Sequence, residues 1–287
     1  AILYALGMTL FDALCHTFGT MATGGFATKN ASIGYYDSVG IDVTIIVFMV
    51  FAGTNFGLYF RGIRGDWRAV FKDPEWRFYI GIISTAVLLI TWDVWVSMYD
   101  TVGEAFRYSA FQVVSIITTT GYATADFDIW PSFSKLVLVA LMFVGGCAGS
   151  TGGGMKIIRI LVLLKYSYIG TEQAIRPHMV RTLKLGGLPV EDDVRNAIVV
   201  FFFISLNILL FCALAMAAMG LDIVTAITSV IATLNNIGPG LARVGVVQNF
   251  AFIPTAGKLL LSLCMVLGRL ELITILVLFM PSFWKAR

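Results

Sequence analysis

The chain has 287 residues, 58% of them hydrophobic and only 13% charged, with a formal net charge of +3 and a mean hydropathy of +0.87. That is about half the charge of an ordinary globular domain. A water-soluble fold of this composition would expose large apolar patches, so the bilayer is the expected solvent, and so small a net charge argues against nucleic acid as a partner.

Taken in chain order, Ala1 opens inside an apolar stretch, which suggests a piece of a longer protein. Residues 8–28 read as a short helix ending in Thr-Gly-Gly; the outward span before it is nearly absent, and 37–61 is a return span. A basic segment follows at 61–77, with Arg61, Arg64, Arg68, Lys72 and Arg77. Residues 78–99 form an outward span. Residues 101–124 start amphipathic, turn apolar and finish in a Thr/Gly cluster. About 17 residues before that cluster make a helix near 25 Å long, which cannot add a crossing without breaking the topology. A re-entrant helix that climbs back as extended chain solves the count, and such backbone is tolerated only where protein or a water-filled path surrounds it. Residues 131–164 return to the inside. A second charged segment, 165–195, holds Lys165, Arg176, Arg181, Lys184 and Arg195 against Glu172, Glu191, Asp192 and Asp193. Residues 195–220 go out, and 197–219 carry no charge, enough to span a hydrocarbon core of about 30 Å. Residues 221–240 dip in, and 254–284 return to a C-terminus with Lys285 and Arg287. The positive-inside rule puts the basic segments and the C-terminus in the cytoplasm. Continuous apolar runs favour helices over a β-barrel.

The four cysteines, Cys15, Cys147, Cys212 and Cys264, stand far apart in sequence, and with His16 and His178 they form no CxxC or HExxH spacing. Buried packing is expected of them rather than metal or redox chemistry, and no enzyme is expected. Trp92, Trp95, Trp130 and Trp284 sit near span ends, as interfacial anchors should. Asp37, Asp100, Glu104, Asp126, Asp128 and Asp222 cluster on the expected outer side and read as a solvated face.

Three segments end alike: residues 22–26 (ATGGF), 118–122 (TTTGY) and 234–240 (LNNIGPG), with Gly25, Gly121 and Gly238 in one frame. A dehydrated monovalent cation needs its water replaced by oxygen ligands, and stacked backbone carbonyls supply them. Aligning consecutive carbonyls takes backbone angles that glycine adopts cheaply. Each preceding helix points its negative end toward the cation. Thr119-Thr120-Gly121-Tyr122-Ala123 resembles the threonine-x-glycine-tyrosine-glycine filter of potassium channels. The three loops together, with their interleaved spans, resemble the Trk/Ktr/HKT superfamily of potassium transporters over essentially the whole chain, nearest to the bacterial Trk membrane subunits.

That resemblance implies an all-α polytopic membrane protein of helix–pore-loop–helix units, arranged pseudo-symmetrically around a central ion pore. The family carries four units, so residues 1–61 correspond to the second with its first helix truncated, 78–164 to the third and 195–287 to the fourth, with cytoplasmic loops at 62–77 and 165–194. The carbonyls of Thr23, Gly24, Gly25, Thr119, Thr120, Gly121, Asn236, Ile237 and Gly238 would line a potassium path, flanked at its outer mouth by Phe26, Tyr122 and Pro239. Ile237 and Pro239 depart from a strict potassium-channel filter and imply looser selectivity. The resemblance also implies potassium as the bound ion and no organic cofactor, a cytosolic nucleotide-binding regulatory subunit docked on the basic loops, a homodimer, and residence in the bacterial cytoplasmic membrane.

Six of the residues 145–154 are glycine, each costing about 1 kcal/mol in a helix relative to alanine. The return helix of the middle unit is therefore expected to break there. Gly145, Gly146, Gly149, Ser150, Thr151, Gly152, Gly153 and Gly154 are similar to the family's intramembrane loop, which obstructs the pore below the filter. Ser150 and Thr151 can satisfy freed backbone groups. Arg269 lies too deep in 254–284 to snorkel easily. The resemblance puts it on the pore side near this loop, with Glu271 about 200° around the same helix. A phosphate-cradling reading of 145–156 fails because a Walker loop needs Gly-Lys followed by Ser or Thr, whereas Met155 separates Gly154 from Lys156 and Ile157 follows. A broken-helix carrier with a midplane site is the alternative, and it would need inverted repeats; these repeats all run one way.

Overall fold

The first unit of the computed structural model opens with the single turn α1 (Ile2–Ala5) and the short helix α2 (Leu10–Met21). It continues as α3 (Val39–Ala52) and α4 (Phe56–Ile63), and α5 (Trp67–Lys72) lies in the first basic segment. The second unit comprises α6 (Pro74–Ser97), α7 (Val102–Ile117), α8 (Ser132–Met142) and α9 (Ile157–Ile175). An antiparallel hairpin of β1 (Lys184–Leu185) and β2 (Leu188–Pro189) leads to the third. That unit comprises α10 (Asp192–Ala218), α11 (Ile223–Leu234), α12 (Thr255–Arg269), α13 (Leu272–Leu278) and the terminal turn α14 (Pro281–Lys285). The structure describes residues 1–285 except Pro177, Val180, Glu271, Phe279 and the side chain of Ser282. Glu271 and Arg287 of the sequence reading lie outside the described residues.

The three short helices start the same way. Thr9 caps α2 through the Asp12 amide at 3.1 Å, Thr101 caps α7 through Glu104 at 3.2 Å and Asp222 caps α11 through Thr225 at 3.0 Å. A side-chain oxygen on an orphan N–H fixes each start. Between them, α6 and α10 are long and apolar enough to cross a membrane, and most of their apolar surface is not covered by protein, as suits helices facing lipid. The core gathers around α7, buried throughout from Ser109 to Ile117, with Tyr79, Phe111, Tyr122 and Trp130 among its largest enclosed side chains.

Four details depart from the sequence reading. The return at 37–61 is not one helix: it stops at Gly53 and bends by 95° into α4. The return at 254–284 also bends, by 113°, after Arg269. Thus all three return segments are broken, not the middle one alone. Finally, α9 runs on to Ile175, past the expected start of the cytoplasmic loop, and Trp130 is a core residue, 2% exposed, not an interfacial anchor. Gly186 in the hairpin turn approaches the ring of Pro74, so the two basic segments meet on one side.

Candidate functional site

The three loop ends share one hydrogen-bond register. Gly24 N donates to Gly19 O at 2.7 Å, Thr120 N to Ser115 O at 2.9 Å and Ile237 N to Ala232 O at 2.8 Å. One residue earlier, Thr23, Thr119 and Asn236 take positive φ of 50°, 57° and 56°; one residue later, Gly25, Gly121 and Gly238 take 66°, 84° and 112°. The residue between each pair does not. Such alternation of hand turns successive carbonyls to one side of the strand. A non-glycine residue held left-handed costs on the order of 1–3 kcal/mol and persists only where its surroundings over-determine it. Those surroundings are present: Ser115 Oγ donates to Tyr122 O at 2.6 Å, and the Thr118 and Thr120 hydroxyls are 2.8 Å apart.

The loops also meet each other. A Cβ at Gly25 would lie 1.8 Å from Thr120 O, and one at Gly121 would lie 1.9 Å from Ile237 O. No side chain fits at either place, so the first loop abuts the second and the second abuts the third around a common axis. Gly238, at the corresponding position of the third, meets nothing within 4 Å. Of the flanking residues, Phe26 is 84% exposed while Tyr122 is buried and Pro239 is half-buried. The Tyr122 hydroxyl reaches back to His16 O and Phe26 O, each at 3.4 Å, tying the second unit to the first.

The glycine-rich stretch lies against the inner ends of all three loops. Its neck is closed by Gly145 N to Met155 O at 2.8 Å and Ile157 N to Gly146 O at 3.1 Å. At its tip, Thr151 O accepts from Thr23 Oγ1 at 2.9 Å, and Gly153 N donates to Thr119 Oγ1 at 2.6 Å. Gly153 lies so close to Asn235 O that an added Cβ would be 2.9 Å from it. Ser150 Oγ donates to Cys147 O at 2.6 Å, and Lys156 Nζ donates to Gly152 O. The flank of the stretch is laced to the α3–α4 bend: Cys147 N donates to Gly53 O at 2.8 Å, Thr151 N to Ala52 O at 3.2 Å and Phe56 N to Gly149 O at 3.1 Å.

Arg269 Nη1 also donates to Thr151 O, at 3.1 Å. The arginine, the stretch and the first loop therefore converge on one carbonyl. Three contributors escape the sequence reading. The Gly53-Thr54-Asn55 run was visible as a polar interruption in an apolar span. Gly268 lets α12 approach α11 so closely that a Cβ would lie 1.8 Å from Leu234 O, which sets where Arg269 stands. Glu75 on α6 is 5% exposed and accepts from Ala148 N at 2.7 Å and Ile158 N at 3.1 Å; no local pattern in the sequence marks it. Among the cysteines, Cys147, Cys212 and Cys264 are buried, and the sulfurs of Cys212 and Cys264 lie 3.6 Å apart across α10 and α12.

Repeated helix–loop–helix units around one axis, with re-entrant short helices and lipid-facing outer helices, define a multi-pass membrane protein of the pore-loop class. The chain matches the family model of the cation transport protein TrkH over residues 3–286. It belongs to that family. It is 41% identical over 285 residues to the Trk system potassium uptake protein TrkH of Salmonella typhimurium, covering 99% of this chain and 59% of that protein. To the Trk system potassium uptake protein TrkG of Escherichia coli it is 34% identical over 282 residues, covering 98% and 58%. The crystal structure of the potassium transporter TrkH from Vibrio parahaemolyticus matches with a TM-score of 0.93 at 38% identity, covering 99% of this chain and 61% of that one. The chain thus spans about three fifths of the length of these relatives.

Proposed function

We propose that this chain forms most of a potassium path across the bacterial cytoplasmic membrane, serving potassium uptake. The observation that carries the reading is the shared backbone of the three loop ends: left-handed, then not, then left-handed, in one register and in contact around one axis. Carbonyls of Thr23, Gly24, Gly25, Thr119, Thr120, Gly121, Asn236, Ile237 and Gly238 replace the ion's hydration shell, and potassium is cargo. Ile237 and Pro239 relax the preference over sodium. The similar proteins are Trk system potassium uptake proteins, which supports the ion. The glycine-rich stretch is the gate: its hydrogen bonds to Thr23 and Thr119, and the convergence of Arg269 on Thr151 O, support an obstruction beneath the filter that must move for ions to pass. A cytosolic nucleotide-binding subunit, docked on 61–77 and 165–195, moves it, and the complete protein is a homodimer.

The test uses the full-length transporter in liposomes. In Gly121→Ser, the new Cβ meets Ile237 O and the left-handed backbone is strained, so rubidium uptake should fall at least tenfold, or lose its preference over sodium. Uptake and preference equal to wild type would sink the filter. Deleting 149–153 should raise resting flux; unchanged flux removes the gate.

A further inference from the structure

We propose that Glu75 is the positioning residue that holds the glycine-rich loop in its obstructing place, one buried carboxylate oxygen fastening the loop and the helix beneath it to α6. This rests on the gate reading above. The same Oε1 accepts from Ala148 N, inside the loop, at 2.7 Å and from Ile158 N, in the first turn of α9, at 3.1 Å. The two amides lie on opposite sides of the loop's neck, so one atom pins both arms to a helix that is not part of the loop.

The chemistry of the helix start makes the arrangement specific. α9 begins after Lys156, whose side chain makes no capping hydrogen bond, and a lysine has no acceptor to offer. Ile157 N finds Gly146 O and Arg159 N finds Lys156 O, so the Ile158 N–H needs an acceptor from elsewhere. Glu75 supplies it from across the fold, bringing a negative charge to the positive end of the helix. At 5% exposure the carboxylate is poorly hydrated, and hydrogen bonds to a charged acceptor are about twice as strong as neutral ones. Above this clamp the loop is held by hydroxyl and backbone bonds, by Lys156 on Gly152 O and by Arg269. Displacing Ala148 breaks the charge-assisted bond at the loop while the bond to α9 can stay. Glu75 thus sets how much free energy a regulator must supply before the loop leaves the axis.

The native reporter is Cys147, beside Ala148 and 0% exposed. The experiment compares wild type, Glu75→Gln and the 149–153 deletion in the full-length transporter in liposomes. Resting rubidium flux, rubidium-over-sodium preference and maleimide labelling of Cys147 are measured, with the other cysteines changed to serine. Glutamine keeps the shape and an acceptor oxygen but loses the charge, so the fold is expected to survive. Glu75→Gln should raise resting flux and Cys147 labelling together, by about tenfold for one charge-assisted bond, with ion preference unchanged. Wild-type flux and labelling in Glu75→Gln, alongside raised flux in the deletion, would overturn the clamp and leave the gate standing. Raised flux with altered ion preference would also overturn it, because Glu75 would then act through the filter. Unchanged flux in the deletion would remove the gate, and the clamp with it.

Discussion

Thr119 shows how much one side chain does at this site. Its backbone is left-handed with φ 57°, its residue is buried, and its hydroxyl accepts the Gly153 amide at 2.6 Å. Thr119→Val keeps the shape and removes the acceptor, leaving a buried N–H without its partner, which costs about 1–3 kcal/mol. We expect higher resting flux with the backbone path intact, so rubidium flux in liposomes rises while rubidium-over-sodium preference stays. A fall in preference instead would mean that the hydroxyl shapes the filter. At this same scale the sequence was partly legible. Gly25 and Gly121 announced their backbone in advance, because only glycine tolerates both positive φ and a neighbouring carbonyl at van der Waals contact. Glu75 did not. An acid at the start of an apolar span carries no mark of which distant amides it will meet.

At the scale of elements, the short helices α2, α7 and α11 were readable because each is flanked by a polar start and a Thr/Gly or Asn/Gly end. Their caps are local, and local chemistry is written in adjacent residues. Asp222 illustrates it: hydrogen bonds from the Thr225 hydroxyl and amide hold its carboxyl below the ordinary value. A carboxylate lowered in the folded state stabilises fully above the ordinary pKa of about 3.9, and that stabilisation fades as pH falls through the lower folded value. Asp222→Ala should therefore cost about 1 kcal/mol at neutral pH. In a thermal-unfolding series the gap to wild type should close as the pH drops below about 4; a gap that persists in acid would mean the cap works without its charge. The breaks in the return helices were less evenly legible. Six glycines marked the middle one. The bend at Gly53 had only a three-residue polar interruption, and the bend after Arg269 had Gly268 and the charge of Arg269 itself, which read as a buried charge and not as a break. Both are imposed by what the helix must pack beside: at the first, backbone bonds from Cys147 and Thr151 take up the freed carbonyls of Gly53 and Ala52.

At the scale of the whole molecule, the units are joined by a few long-range polar links inside an apolar body. Arg107 on α7 pairs with Asp42 on α3 at 2.7 Å and with Asp37 at 3.1 Å. The Asp42 side chain is 1% exposed and that of Arg107 18% exposed. Asp37, read from sequence as part of a solvated face, is therefore an ion-pair partner as well. Removing one member of a buried pair strands the other and costs about 3–5 kcal/mol, whereas replacing both with apolar residues is often close to neutral. Arg107→Met should lower the thermal-unfolding midpoint in detergent sharply, and Arg107→Met with Asp42→Leu should recover much of the loss. Equal loss in single and double variants would show that the pair sets geometry between units beyond satisfying charge.

The solvent, the repeat and the frame of the three loops were legible along the chain. All of these follow from runs of neighbouring residues meeting lipid, water or their own backbone. Folding in three dimensions set the rest: the loops abut around an axis, every return helix is broken, and Thr151 O is shared by Thr23 and Arg269 while Glu75 accepts from both arms of the glycine-rich stretch. Those arrangements depend on pairs separated by as many as 128 positions. In a bilayer, where each freed backbone group must find a partner inside the protein, which partner it finds is settled by packing and not by order along the chain.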